Sequence, residues 1–116
     1  MHNFKELRVW LMSVELATDI YQLTNSYPNN EIYGLTSQIR RCSVSVSSNI
    51  AEGAGRSGKN EFRQYLHIAY GSSFELETQL IISRNLDYVE DEKFEYLSRK
   101  IIEIQKMLYK LIKSIE

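Results

Sequence analysis

The stretch FEYLSRKIIEIQKMLYKLIKSI, residues 94–115, decides the fold class. Its large apolar side chains recur every three or four residues, at Phe94, Leu97, Ile101, Ile104, Leu108, Leu111 and Ile115. This spacing places them on one stripe of an α-helix. The acidic run over residues 90–92 precedes them, and negative charge is favourable at a helix N-terminus. The pattern predicts a helix over about 90–115 whose apolar stripe requires partner helices.

Three further segments show helical periodicity, over about 4–25, 33–52 and 60–86. In the first segment we expect the core stripe to contain Leu7, Leu11, Val14, Thr18 and Tyr21, widened by Leu16, Ile20 and Leu23. Pro28 and its polar neighbours form the loop that follows. Short connections make consecutive helices antiparallel. We therefore predict one all-α domain over residues 1–116, an antiparallel up-down-up-down four-helix bundle.

The second segment admits another interpretation, because SVSVSS, residues 43–48, alternates with the period of two that is typical of a β-strand. However, Leu35, Ile39, Cys42, Val46 and Ile50 keep a helical stripe through the same stretch. A solitary strand would also lack a partner to pair its backbone groups. A helix is the better interpretation.

Composition argues against several classes of function. Hydrophobic residues make up 43% of the 116 residues, enough for one core. Cys42 is the single cysteine, expected as a buried structural thiol, and the two histidines, His2 and His67, lack metal-ligand spacing. The sequence contains neither a signal-peptide pattern nor an apolar run long enough to span a membrane. We expect a cytoplasmic, non-enzymatic protein with no cofactor, catalytic residue or metal.

The stretch EGAGRSGKNEF, residues 52–62, contains two patterns of phosphate-binding loops, GxGxxG and GxxxxGK. A dinucleotide fingerprint needs a preceding strand in a βαβ unit, and a Walker loop needs Ser or Thr where Asn60 stands. Neither condition is met. We interpret the stretch as a helical hairpin turn, in which Gly53 and Gly55 end one helix and Ser57 or Asn60 caps the next.

Around this turn the sequence resembles a known family. The segments YGLTSQIRRCSVSVSSNIAEGAGR, residues 33–56, and FRQYLHIAYGSSFELETQL, residues 62–80, resemble the four-helix-bundle proteins encoded in intervening sequences of bacterial 23S rRNA genes, the S23 ribosomal protein family. That family is similar in fold to the accessory variability protein of diversity-generating retroelements, a pentameric barrel that binds nucleic acid and its reverse transcriptase. The resemblance implies a homo-oligomer, with a pentamer as the leading form, and a nucleic-acid role. One departure is Ser47, where relatives typically carry proline.

Charge is distributed unevenly although the net charge is only -1. An up-down-up-down bundle collects the starts of helices one and three and the ends of helices two and four at one end, here called the basic end. The cations expected there are Lys5, Arg8, Arg56, Lys59, Arg63, Lys106, Lys110 and Lys113, against Glu6, Glu52, Glu61 and Glu116. The opposite, acidic end collects Asp19, Glu31, Asp87, Glu90, Asp91, Glu92 and Glu95, against Arg84 and Lys93. The small net charge therefore conceals a charge dipole along the bundle.

A basic rim repeated around an oligomer would attract phosphate, so the function expected is binding of RNA, DNA or a ribonucleoprotein. The residues expected to bind are Arg56, Lys59, Arg63, Lys5, Arg8, Lys110 and Lys113. The alternative is a protein–protein adaptor or structural oligomer without nucleic-acid affinity. A second basic pair, Arg40 and Arg41, falls opposite Glu75 and Glu77 when the hairpin folds, so we expect structural salt bridges there in preference to phosphate contacts.

Overall fold

The computed structural model describes residues 3–115, and all regular secondary structure in this range is helical. Its four long helices are α1 (Arg8–Thr24), α2 (Leu35–Ala54), α3 (Lys59–Asn85) and α4 (Asp91–Ser114). Short 3₁₀ turns occur at Phe4–Glu6 and Asn29–Glu31. The predicted all-α four-helix bundle is confirmed. Glu116, counted above at the basic end, and His2 lie outside the described residues.

The helices surround the core in chain order. Each packs against its neighbours in sequence, and α1 closes the bundle against α4. Within residues 3–115, the Cα atoms of the diagonal pairs, α1 with α3 and α2 with α4, do not approach within 8 Å. The α1–α2 pair therefore lies on the opposite side of the bundle from the α3–α4 pair. The whole measures 43 × 25 × 20 Å.

The closest pairing is between α2 and α3, because small residues line their contact. The hydroxyl oxygens of Ser45 and Ser72 lie 2.9 Å apart, and the Cys42 thiol donates to the Ser72 carbonyl at 3.1 Å. The strand interpretation of residues 43–48 is wrong, since α2 is helical throughout this stretch. Ser47 donates its hydroxyl to the Val44 carbonyl at 3.1 Å, and α2 passes it without interruption.

The core contains residues from all four helices, and Ile20, Ile39, Leu66 and Leu97 are each fully buried. The expected stripe of α1 is partly wrong: the side chains of Leu11, Val14 and Tyr21 are 52%, 38% and 44% exposed, whereas Leu16 and Ile20 are buried. Both sets have helical spacing, and packing against α2 and α4 selects the second. The first set is left on the surface of α1.

Aromatic side chains make a contact at each end of the bundle, a ring pair at one end and a hydrogen bond from a tyrosine at the other. Near the start of α1, the rings of Phe4 and Trp10 meet edge to face with centroids 5.0 Å apart. At the other end, the Tyr88 hydroxyl of the α3–α4 loop donates to Glu31 of the α1–α2 loop at 2.9 Å. This hydrogen bond joins the two loops that close the acidic end.

Candidate nucleic-acid interface

The α2–α3 turn forms the centre of the basic end, and the prediction for its glycines is confirmed for Gly55 and wrong for Gly53. Gly53 lies inside α2, buried against α3. The helix ends at Ala54, and its C-cap is Gly55, whose N–H donates to the carbonyls of Ala51 and Glu52 at 3.2 Å. The N-cap of α3 is Gly58, and no side chain caps that helix. The expected caps Ser57 and Asn60 are therefore wrong, because Asn60 lies within the first turn of α3 and accepts from Arg63 instead.

Arg56 projects from this turn into a cluster of polar partners. Its Nη2 donates to Glu52 Oε2 at 3.2 Å and to the Tyr65 hydroxyl at 2.9 Å, and its Nη1 lies 4.0 Å from Glu61 Oε2. The guanidinium carbon also lies 5.1 Å from the centroid of the Tyr65 ring. The hydrogen bond to Glu52 is the main reason that the pKa of Arg56 lies above its ordinary value. This predicted phosphate ligand therefore already has anionic partners.

The other candidates on α3 are less constrained. Lys59 is the first residue of the helix and is exposed. Arg63, one turn later, is half-buried and donates from Nη2 to Asn60 Oδ1 at 3.0 Å. Neither makes an ion pair within residues 3–115, so both can meet a phosphate without first losing a carboxylate partner.

The remaining candidates belong to other elements that the topology brings to the same end. Lys5 lies in the 3₁₀ turn before α1, and Arg8 is the first residue of α1; both are exposed. Lys110 and Lys113 lie in the last turns of α4, where the Lys113 ammonium is 5.7 Å from the centroid of the Tyr109 ring. Lys110, Lys106 and Tyr109 also line a groove between α3 and α4.

Part of the acidic end is neutralised by ion pairs that the sequence does not predict. Lys100 on α4 donates to Asp19 at 2.9 Å and to Glu15, both on α1, and its side chain is only 16% exposed. Burial lowers the pKa of Lys100, but its hydrogen bonds to Glu15, Tyr96 and Asp19 outweigh this effect and hold the pKa above the ordinary value. The only sequence signal was two carboxylates four residues apart, Glu15 and Asp19.

The expected salt bridges across the hairpin are wrong. Arg40 turns toward α1, donating to the Thr24 hydroxyl at 2.7 Å and to Asn25 Oδ1 at 3.2 Å. Arg41 is exposed, and neither arginine forms an ion pair with a carboxylate in the described part of the chain. The carboxylates have other donors: Glu75 accepts from the Cys42 thiol at 3.5 Å, and Glu77 accepts from Gln105 at 2.9 Å. The rotation of α2 directs Arg40 away from α3.

Two kinds of group in residues 3–115 bear on chemistry, the potential metal ligands and the Cys42 thiol. No group of three His, Cys, Asp or Glu side chains is placed to hold a metal ion there. Cys42 is buried, and burial, together with the nearby Glu75 carboxylate, raises the pKa of its thiol to about 12. A thiol held protonated is a poor nucleophile. None of the described helices is long and apolar enough to cross a membrane.

These features define the class of the protein as a small antiparallel four-helix bundle with cations gathered at one end. Its sequence assigns it more narrowly: the chain belongs to the family of 23S rRNA-intervening sequence proteins, whose sequence model matches residues 5–110. The fold is similar to the 1.70 Å crystal structure of a protein of unknown function from the S23 ribosomal protein family of Bacteroides thetaiotaomicron VPI-5482. The two chains are 26% identical, with a TM-score of 0.83, over 90% of this chain and 95% of that one. No curated protein matches the chain.

Proposed function

We propose that the chain assembles into a ring of identical bundles, a pentamer by family resemblance, whose basic end binds nucleic acid, either RNA or a ribonucleoprotein. The observation that carries this proposal is the set of exposed cations at that end without a carboxylate partner in residues 3–115. They are Lys5, Arg8 and Lys59; Lys106 and Lys110 are also exposed but line the groove between α3 and α4. Phosphate binding is the general use of such a surface, because each cation that meets a phosphate releases a condensed counterion.

Assembly is supported by two apolar surfaces on opposite sides of the bundle. The α1–α2 surface consists of Leu11, Val14, Tyr21 and Val44, each at least 38% exposed. The α3–α4 surface consists of Tyr70, Phe74, Ile102 and Tyr109, which line one groove. Exposed apolar surfaces of this kind usually mark interfaces. Two different surfaces on opposite sides favour a head-to-tail contact, which closes into a ring when the rotation between copies permits.

A ring built in this way would present every basic end on the same side. The cations of one bundle are then repeated around the ring axis. Because a bundle is 20–25 Å wide and the Debye length is about 8 Å at physiological ionic strength, each basic end would bind its own stretch of a polyanion, and the contacts of several bundles would add along one strand. This arrangement would give a stronger and more salt-dependent attraction for a polyanion than one bundle provides.

The nucleic-acid part of the proposal is tested by removing two cations from each end in turn. Lys59→Ala/Arg63→Ala removes them from the basic end, whereas Lys93→Ala/Arg99→Ala removes two exposed cations from the part of α4 near the acidic end. We expect the first variant to bind a labelled single-stranded RNA about tenfold more weakly at about 50 mM salt, with a smaller salt slope. The second variant should bind as the unmodified protein does. Equal losses from both ends would contradict binding at the basic end.

The assembly part is tested separately by light scattering. A charge placed in the α3–α4 surface, Ile102→Glu, should convert the oligomer into a monomer, because the interface would have to bury a carboxylate in place of an apolar side chain, which is costly even with Lys106 in the same groove. Ile81→Glu introduces the same charge at an exposed position outside that groove and serves as the control. An unmodified protein that is monomeric at micromolar concentration would contradict assembly.

The alternative function, a protein–protein adaptor without nucleic-acid affinity, is favoured by the same apolar surfaces. They could accept a different protein in place of a second copy. The salt response separates the two functions, because contacts between apolar surfaces depend weakly on salt, whereas phosphate contacts weaken steeply as salt is added. A stable complex with a cellular protein and no retained RNA at about 50 mM salt would support the adaptor.

A further inference from the structure

We infer that Glu52 and Glu61 form an autoinhibitory clamp on Arg56, in which the two carboxylates compete with nucleic-acid phosphate for the guanidinium. This inference rests on the proposed function, because it concerns the regulation of the same basic end. It assigns opposite effects to neighbouring residues: Lys59 and Arg63 promote binding, whereas Glu52 and Glu61 restrain it.

The geometry of the clamp engages both ends of the guanidinium. Glu52, one turn before Arg56, accepts from Nη2 at 3.2 Å, and Glu61 on α3 faces Nη1 at 4.0 Å. The Tyr65 hydroxyl also accepts from Nη2, at 2.9 Å. Recognition of a phosphate by arginine typically uses two parallel N–H donors of the same fork. Here Nη2 is hydrogen-bonded to Glu52 and Tyr65 and Nη1 faces Glu61, so a phosphate that binds both nitrogens would have to displace these contacts.

The clamp is weak enough to open. The side chains of Arg56, Glu52 and Glu61 are 43%, 54% and 54% exposed, so water and an incoming ligand reach all three. Ion pairs this exposed contribute little to stability. Arg56 also lies in the connection between α2 and α3, outside both helices, where its side chain can turn without disturbing helix packing.

The clamp also changes the local charge that a polyanion meets. The carboxylates assigned to the basic end within residues 3–115 are Glu52, Glu61 and Glu6. The first two form ion pairs with Arg56. Glu6 is exposed and makes no ion pair in that range. It therefore provides a matched control: replacing Glu6 removes the same negative charge from the same end without releasing an arginine.

The test uses the full chain and a fluorescein-labelled single-stranded RNA of mixed sequence, about 20 nucleotides long, with affinity measured by anisotropy at about 50 mM salt. The variants are Glu52→Gln, Glu61→Gln and their combination, which keep the side-chain shape and remove the charge. We expect the combined variant to bind about fivefold more tightly, and Glu6→Gln less than about twofold. Repeating all variants with Arg56→Ala should reduce the gain from each Glu→Gln change to that of the Glu6→Gln control.

Two results would overturn the clamp. The first is a combined Glu52→Gln/Glu61→Gln variant whose gain in binding free energy is no more than twice that of Glu6→Gln, as removal of two charges alone would give. The second is a gain that persists in full with Arg56→Ala. Either result would leave the proposed function intact if Lys59→Ala/Arg63→Ala still weakens binding. If neither the unmodified protein nor the combined variant binds the RNA, both the clamp and nucleic-acid binding are wrong.

Discussion

A Cβ atom added to Gly53 would lie 2.7 Å from the Cβ of Tyr65, so α2 and α3 meet at a distance that only glycine permits here. The ring of Phe62 is nearly as close, at 3.1 Å. Because Cβ of Tyr65 is fixed to the backbone of α3, a side chain at position 53 must push the two helices apart. The glycine that resembled part of a phosphate loop is therefore a packing residue.

Gly53→Ala should destabilise the protein despite the higher helix propensity of alanine. We expect a loss of about 1–3 kcal/mol from overpacking, measured by urea denaturation. Gly71→Ala is the matched control, since a Cβ there has no atom within 4 Å. It should stabilise α3 by about 0.5–1 kcal/mol. Two changes of the same sign would contradict the close approach of the helices.

Arg40→Ala should destabilise the contact between α1 and α2. The change removes two hydrogen bonds, to Thr24 and Asn25, and a contact of the guanidinium with the Tyr21 ring at 4.8 Å. Thermal unfolding should show a loss of about 1–2 kcal/mol. The adjacent Arg41→Ala, at an exposed position, should change stability by less than about 0.5 kcal/mol. A larger loss of stability in Arg41→Ala than in Arg40→Ala would instead support the salt bridges predicted from the sequence.

Lys100→Met should destabilise the protein by about 1–3 kcal/mol, because Asp19, whose side chain is 17% exposed, would lose its cationic partner. Adding Asp19→Asn should recover part of the loss, and chemical denaturation of the two variants measures both effects. Since folding raises the pKa of Lys100, its contribution is complete below the unfolded lysine pKa, about 10.4, and is lost as pH rises through the higher folded value. A Lys100→Met variant as stable as the unmodified protein would contradict this prediction.

Cys42 should resist alkylation in the folded protein. Its thiol pKa of about 12 lies well above the ordinary value near 8.5, so the folded state contains little thiolate at pH 8. Because folding raises the thiol pKa, the protonated thiol contributes stability that is complete below about pH 8.5 and decreases as pH rises toward 12. The iodoacetamide reaction should follow unfolding, and Cys42→Ala should lessen the loss of stability above pH 8.5. Rapid labelling in native buffer would show that the thiol is accessible.

The order and type of the helices could be predicted because apolar spacing records them directly, as in the run from Phe94 to Ile115. Helix rotation could not. α1 carries two overlapping apolar stripes, one with Leu11 and Val14 and another with Leu16 and Ile20. Which stripe faces the core depends on the shapes of α2 and α4, and local sequence does not contain that information.

Because helix rotation could not be predicted, the partners of the polar residues could not be predicted either. Identifying the end to which each charge belongs requires only the topology, whereas identifying its partner requires rotation to within a fraction of a turn. Arg40 was expected to face Glu75 and instead contacts Thr24, and Lys100 was not recognised as the partner of Asp19. For the candidate interface, the cations of the basic end could be named from the sequence. The contacts that restrain Arg56 depended on the positions of Glu52 and Glu61 in three dimensions.

The edge-to-face pair of Phe4 and Trp10 gives the molecule an intrinsic optical reporter. Trp10 is the single tryptophan of the chain and lies in the first turn of α1, two residues after Arg8, at the basic end. Selective excitation of its indole therefore samples one end of the bundle, whereas circular dichroism averages over all four helices. Quenching of this emission by RNA would locate RNA binding at the basic end without an attached dye. A shift of the emission before the helical signal is lost in urea would show that this end unfolds first.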